Sequence, residues 1–179
     1  MTHDAATTPR RRRDDGARRP VTCHHAEVAT DIVFFLAPDD KTAARTRLKG
    51  PGPALTSLAC HDFTADDAVV EWEMYLDAPS APLPPQHELN KREWPRYVAP
   101  VLNDGVGVFA LSARLTSALA TATPALLRGL AARWTERLRL EDGDDMTDDD
   151  LLTVLKGIAG LAAAADASRG GLGLYCWHY

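Results

Sequence analysis

The fold class is decided by residues 106–140, which run VGVFAL (106–111), SARLTSALATA (112–122) and TPALLRGLAARWTERLRL (123–140). The first piece is a β-rich apolar run preceded by Asn, Asp and Gly, which are typical of a strand boundary. The other two carry apolar residues at helical spacing, with Trp134 on the stripe of the last. Ser112 and Thr123 stand before them as N-caps, and Pro124 suits a first helical turn. The stretch therefore predicts a strand followed by two amphipathic helices.

Strand and helix patterns flank this stretch on both sides. The uninterrupted apolar run at 31–37 predicts a strand covered on both faces, and we expect it to be the central strand. Further strands are predicted at 55–62 and 172–179, a short helix at 41–48 and a longer helix at 148–167. We expect the last strand to pair with the first or the second. The fold prediction is α+β: a small mixed β-sheet covered by about four to five α-helices, with the C-terminal strand in the sheet.

Two segments have less definite patterns. Residues 68–77 fit a helix as well as an alternating strand, and the sequence TADD at 64–67, which has the form of a capping box, favours the helix. Residues 78–100 include five prolines between Pro79 and Pro95, and proline removes ladder donors and breaks helices. We therefore predict a long surface loop there, either pinned to the core by Trp94 and Tyr97 or used for binding.

Composition limits the class of protein. Hydrophobic residues make up 45% of the 179, yet no apolar run is long enough to cross a bilayer, so we expect no membrane contact. No apolar stretch follows the arginine-rich start to complete a signal peptide. Three cysteines, an odd number, do not make a disulfide framework. We therefore expect a cytoplasmic protein.

Charge is distributed unevenly along the chain. Residues 1–30 hold six arginines against four acidic residues, a net of +2, and have almost no large apolar side chain. We predict that they form a disordered, arginine-rich arm, and that residues 31–179 form a single α+β domain. Residues 31–179 hold 14 basic and 21 acidic residues, a net of −7, which makes nucleic acid an unsuitable partner for the domain.

The strongest concentration of charge is EDGDDMTDDD at 141–150, with seven acidic residues in ten. The register of an EF-hand calcium loop is absent, and Thr147 followed by three aspartates is typical of a helix N-terminus. Adjacent carboxylates repel one another, and the excess charge suits a basic partner. The predicted partner-binding residues are Asp144, Asp145, Asp148 and Asp149, with Arg92, Trp94 and Arg96 of the proline-rich segment as a second edge.

Each cysteine has a histidine within two positions, and thiolate and imidazole are the groups that zinc prefers. No CxxC or HxxxH pair is present, so we expect structural cysteines, with no metal ion and no cofactor. The alternative is a metal-dependent or thiol enzyme of unknown substrate, and it would use Cys60, His61, Cys176 and His178. Cys176 and His178 would point to the same face of a strand, whereas Cys60 and His61 would point to opposite faces.

DDAVVEWEMYL (66–76), EWPRYVAPVLNDG (93–105) and LYCWHY (174–179) resemble phrases of small actinobacterial α+β proteins of uncharacterised function. In outline, residues 31–179 are also similar to immunity proteins of bacterial toxin systems. The resemblance carries no functional residues across. No catalytic motif accompanies the acidic surface, so we expect a non-enzymatic protein-interaction module, with a toxin-neutralising or regulatory role as its most concrete form.

Overall fold

The computed structural model describes residues 32–79, 81–82, 84–89, 91–102, 105–141 and 146–179. The predicted arm, residues 1–30, lies outside the described residues. The strands are β1 (Ile32–Ala37), β2 (Ser57–Cys60), β3 (Arg96–Ala99), β4 (Gly107–Ala110) and β5 (Gly173–His178). The helices are α1 (Asp40–Ala44), α2 (Ala65–Asp77), α3 (Gln86–Leu89), α4 (Ala113–Ala120), α5 (Pro124–Glu141) and α6 (Asp148–Ala167). The predicted α+β class is confirmed.

The strands form one sheet in the order β2-β1-β5-β4-β3, and every neighbouring pair is antiparallel. The prediction that the C-terminal strand joins the sheet is confirmed. The prediction of a mixed sheet is wrong: β1 and β4 run in the same direction, but β5 lies between them and runs opposite to both. The central strand is accordingly β5 and not β1.

Both faces of β1 are covered, as its uninterrupted apolar sequence predicts. Phe34 and Leu36 face the helices and belong to the main core. Phe35 faces the other side, where it stacks on Tyr175 of β5 with ring centroids 5.8 Å apart, next to Ala43 of α1. The sheet thus separates a large core under the helices from a small one under α1.

Residues 106–140 form β4, α4 and α5 as predicted. The Ser112 and Thr123 side chains accept capping hydrogen bonds from backbone amides three residues ahead, at 3.0 and 3.2 Å. Trp134 of α5 is buried and meets Trp72 of α2 edge-on, with ring centroids 5.0 Å apart. This pair joins the two helices inside the main core.

The helical interpretation of residues 68–77 is confirmed, since they belong to α2. Val69 and Trp72 both point into the main core. The predicted capping box does not form: the Thr64 side chain makes no capping hydrogen bond, and the Asp66 carboxylate accepts from the Asp67 amide at 3.1 Å. The Asp66 carboxylate also reaches β3, in a network described below.

The proline-rich segment contains α3 and β3, so the prediction of one long loop is wrong. Strand β3 begins directly after Pro95 and ends directly before Pro100. It is an edge strand of the sheet, and an edge strand needs ladder donors on one side only. Of the two predicted anchors, Tyr97 packs against the main core, whereas Trp94 is 41% exposed.

Helix α6 packs on α4, α5 and the sheet, with Leu155 and Ile158 buried. Gly157 faces the side chain of Leu58 in β2, and a Cβ atom on this glycine would lie 2.7 Å from a methyl carbon of Leu58. Gly157 therefore permits close approach of α6 to β2, whereas Gly160 faces open space. In the described part of the chain no helix is both long and apolar enough to cross a bilayer.

Candidate functional site

A groove lies where residues 93–96 pass over α2 and the start of α4, and it encloses about 300 Å³. Its floor is apolar and is formed by Val69, Val70, Ala110 and Leu111. Its rim carries Glu73, Glu93, Trp94 and Arg96. We call this surface the Trp94 groove. It contains two of the three residues that were predicted as a second binding edge, while Arg92 is exposed just outside it.

A second cavity of about 540 Å³ adjoins the Trp94 groove. The two share Arg96, Ala110, Leu111 and Ala113 in their linings. The second cavity extends to the C-terminal end of α6 at Asp166 and to the start of β5. Together they form one depression across the end of the sheet, with Arg96 between its two compartments.

Arg96 is fixed on this rim by a carboxylate from the small-core side of the sheet. Its guanidinium makes two hydrogen bonds to Asp40, at 2.6 and 3.1 Å, and the Tyr175 hydroxyl donates to the same carboxylate at 3.0 Å. The hydrogen bond from Arg96 lowers the pKa of Asp40, while burial and then the Asp40 hydrogen bond raise the pKa of Tyr175 to about 12. The charge of Arg96 is therefore largely offset by Asp40.

The described part of the acidic segment is a helix N-terminus. The Thr147 hydroxyl accepts from the Asp150 amide at 3.2 Å, and the Asp150 carboxylate accepts from the Thr147 amide at 3.1 Å, which completes a capping box. Hydrogen bonds from Thr147 lower the pKa of Asp150. Asp148 and Asp149 are exposed, and neither side chain makes an ion pair with a described residue.

The two predicted binding edges lie far apart. Asp148 begins α6, whereas Asp166, near the end of the same helix, lines the second cavity together with Arg96. At about 1.5 Å per residue, 18 residues of helix separate these ends by roughly 27 Å. Asp144 and Asp145 lie outside the described residues. The chain therefore offers two separate surfaces, an acidic helix end and the Trp94 groove.

The four Cys and His side chains of the alternative enzyme site do not converge on one point. Cys60 and His178 pair with Ile32 from opposite sides of β1, so their Cα atoms are about 10 Å apart, with buried Ile32 between them. Cys176 lies two residues before His178 on the same face of β5. His61 is exposed and pairs with the neighbouring aspartate. Among the described residues, no three His, Cys, Asp or Glu side chains are grouped so that they could hold a metal ion.

Burial also disfavours the thiolate form of both described cysteines. It raises the pKa of Cys60 to about 11, and burial, followed by the nearby Cys60 and Asp66, raises the pKa of Cys176 well above its ordinary value. Thiolates are the nucleophiles and the metal ligands, so protonated thiols are suited to packing. Cys176 is completely buried in the main core.

A polar network at the other end of the sheet was not predicted from the sequence. The Tyr97 hydroxyl lies 2.9 Å from the Asp66 carboxylate and 3.3 Å from Nε2 of His178. Because a carboxylate only accepts, Tyr97 donates to Asp66, and the Nε2–H tautomer of His178 donates to Tyr97. Burial and then Asp66 raise the pKa of Tyr97, and burial lowers the pKa of His178. Both rings are neutral at pH 7, and the network ties α2 to β3 and β5.

A second buried cluster was also missed. Glu71 of α2, 1% exposed, accepts from Arg133 at 2.8 Å and from Arg137 at 3.3 Å, both on α5. The same two guanidinium groups donate to the carbonyl oxygens of Ala81 and Pro84. The cluster therefore holds the proline-rich segment against α2 and α5. Helical periodicity alone places both arginines away from the apolar stripe of α5.

Comparison of the chain with protein-family models, with curated proteins and with solved structures found no significant match.

Proposed function

We propose that this protein is a non-enzymatic protein-interaction module that binds a basic partner through an acidic surface, with a toxin-neutralising (immunity-type) or regulatory role. The observation that carries the proposal is the pair Asp148 and Asp149. Both carboxylates are exposed, and neither makes an ion pair with a described residue, although capping the helix requires only Thr147 and Asp150. Two charges beyond what the cap uses are therefore available to a partner.

The charge of residues 31–179 supports the same proposal. With a net charge of −7, this part of the chain attracts a basic protein over distances of about a Debye length, roughly 8 Å at physiological salt. Such steering raises the association rate and weakens as salt is added. We therefore expect the interaction to depend strongly on ionic strength.

The alternative, a metal-dependent or thiol enzyme using Cys60, His61, Cys176 and His178, has less support. The raised pKa values of both thiols disfavour the thiolate, and Ile32 stands between Cys60 and His178. We expect Cys176→Ala to leave partner binding unchanged.

The proposal is tested by capturing partners from the native host at low and at moderate salt. The protein with Asp148→Asn and Asp149→Asn is compared with a control of equal charge loss, Glu136→Gln and Asp62→Asn, which changes exposed acids outside the acidic helix end and both cavities. We expect the unmodified protein and the control to capture a partner that the first variant does not capture. Added salt should release this partner. A second pair, Asp144→Asn with Asp145→Asn, tests the remaining predicted contacts. A partner held equally by all variants would refute the acidic surface.

A further inference from the structure

The residues of the Trp94 groove are suited to binding a basic side chain. We propose that it binds an extended segment of a partner protein through a single arginine or lysine, seated between the Trp94 indole and the Glu93 carboxylate, with the apolar neighbours of that residue on the groove floor. This proposal rests on the proposed interaction role and specifies how a basic partner is bound.

Trp94 differs from the other tryptophans of the chain. Trp72 and Trp134 are buried in the main core, and the Trp177 indole N–H donates to the Arg47 carbonyl at 2.8 Å. Trp94 is 41% exposed and makes no hydrogen bond or ring contact with a described residue. An exposed indole face attracts a cation by about 0.5–1 kcal/mol, and by more when the site is desolvated.

Glu93 supplies the charge that such a cation needs. Its carboxylate makes no hydrogen bond or ion pair within the described part of the chain. Across the groove, Glu73 is already engaged by the Ser112 hydroxyl and lies 3.9 Å from Arg114. Arg96 does not cancel the effect of Glu93, because its own charge is offset by Asp40. The groove therefore presents one available carboxylate beside one available indole.

The dimensions of the groove suit a side chain and its neighbours. A volume of about 300 Å³ is at the lower end for ligand pockets, and its floor is apolar. The adjoining cavity of about 540 Å³ gives the rest of an extended segment room to continue towards α6. A long basic side chain flanked by apolar residues satisfies both the floor and the rim, since its methylene stem packs while its charged end pairs.

The test uses the full-length protein and two acetylated, amidated pentapeptides, Gly-Leu-Arg-Leu-Gly and the same peptide with citrulline in place of arginine. Citrulline keeps the shape and removes the charge. Binding is followed by tryptophan fluorescence and by calorimetry. We expect the arginine peptide to bind about fivefold more tightly than the citrulline peptide, the loss of most of this preference in Glu93→Gln, and weaker binding in Trp94→Ala. Asp148→Asn with Asp149→Asn should leave both affinities unchanged.

Equal affinity for the two peptides, or a preference that survives Glu93→Gln, would overturn the assignment. If the preference for the arginine peptide is lost in Asp148→Asn with Asp149→Asn instead, the cation binds at the acidic helix end. That result would refute the groove as the binding site and leave the proposed function standing. If the arginine peptide binds only after Arg10–Arg13 are changed to serine, the occupant of the groove is the chain's own arginine-rich arm and not a partner.

Discussion

Gly129 on α5 packs directly against the hydroxyl group of Tyr75 on α2, so closely that a methyl group on this glycine would overlap the hydroxyl oxygen. Tyr75 lies one helical turn beyond Trp72, which meets Trp134 of α5. The absence of a side chain at position 129 therefore sets how closely the two helices approach.

This contact predicts a pair of coupled substitutions. Gly129→Ala should lower the free energy of unfolding by about 1–3 kcal/mol, because overlap with the tyrosine outweighs the gain of about 1 kcal/mol in helix propensity. Tyr75→Phe removes the overlapping oxygen, so the same substitution should cost clearly less in that background. Urea unfolding of the four proteins measures the coupling, and strictly additive effects would contradict the prediction.

Removing the buried carboxylate of Glu71 should be strongly destabilising. Glu71→Gln removes the buried negative charge that pairs with Arg133 and Arg137, and losing one partner of a buried ion pair costs about 3–5 kcal/mol. The exposed Glu136→Gln on α5 is the control and should change the free energy of unfolding by less than about 0.5 kcal/mol. Similar chemical-denaturation midpoints for both variants would mean that the cluster does not stabilise the fold.

The two described thiols should react slowly in the folded protein. With Cys23 changed to serine, a thiol reagent at pH 8 should label Cys60 and Cys176 only on unfolding, because burial keeps both protonated. The two should also remain unbridged under oxidising conditions, since strand β1 lies between them, their Cα atoms are more than about 10 Å apart and a disulfide spans less than about 7 Å. Fast labelling of either thiol in the native state would contradict this.

His178 should make the protein less stable in mild acid. Burial holds its pKa below the ordinary value of 6.5, so the unfolded chain binds the proton more readily than the folded protein. Protonation of His178 therefore does not lower the free energy of unfolding above pH 6.5. The free energy of unfolding declines as the pH falls from 6.5 towards the folded-state pKa. His178→Gln should remove this part of the pH dependence. The comparison is made by denaturant unfolding between pH 7.5 and 5.5, and identical curves for both proteins would count against it.

Local sequence signals predicted the elements of the main core. Ser112, Thr123 and Thr147 each begin a helix as expected, because a cap needs only its own side chain and an amide two or three residues ahead. The buried stripe of α5 also followed from helical spacing, and Trp134 lies where that spacing puts it. Each of these features depends only on residues that are close together in the sequence, so it can be predicted locally.

The features that sequence analysis missed depend on distant partners. Glu71 is separated by 62 and 66 positions from the arginines that allow its burial, and Tyr97 by 81 positions from His178. The order of strands is equally non-local, because nothing in β1 or β4 indicates that β5 will lie between them. Two residues of the Trp94 groove, Trp94 and Arg96, were predicted from the sequence as part of a binding edge. The apolar floor was not predicted, because it comes from α2 and the end of β4.

The central position of β5 also governs the order in which the sheet can be assembled. Ile32 pairs with His178, so β1 precedes its main partner by 146 positions along the chain. At about 5–20 residues per second, a ribosome needs roughly 7–30 s to make that interval. Until β5 is made, β1 and β4 lack the strand that joins them, and the sheet remains in two parts. The main β-structure is therefore completed only after β5 has been synthesised.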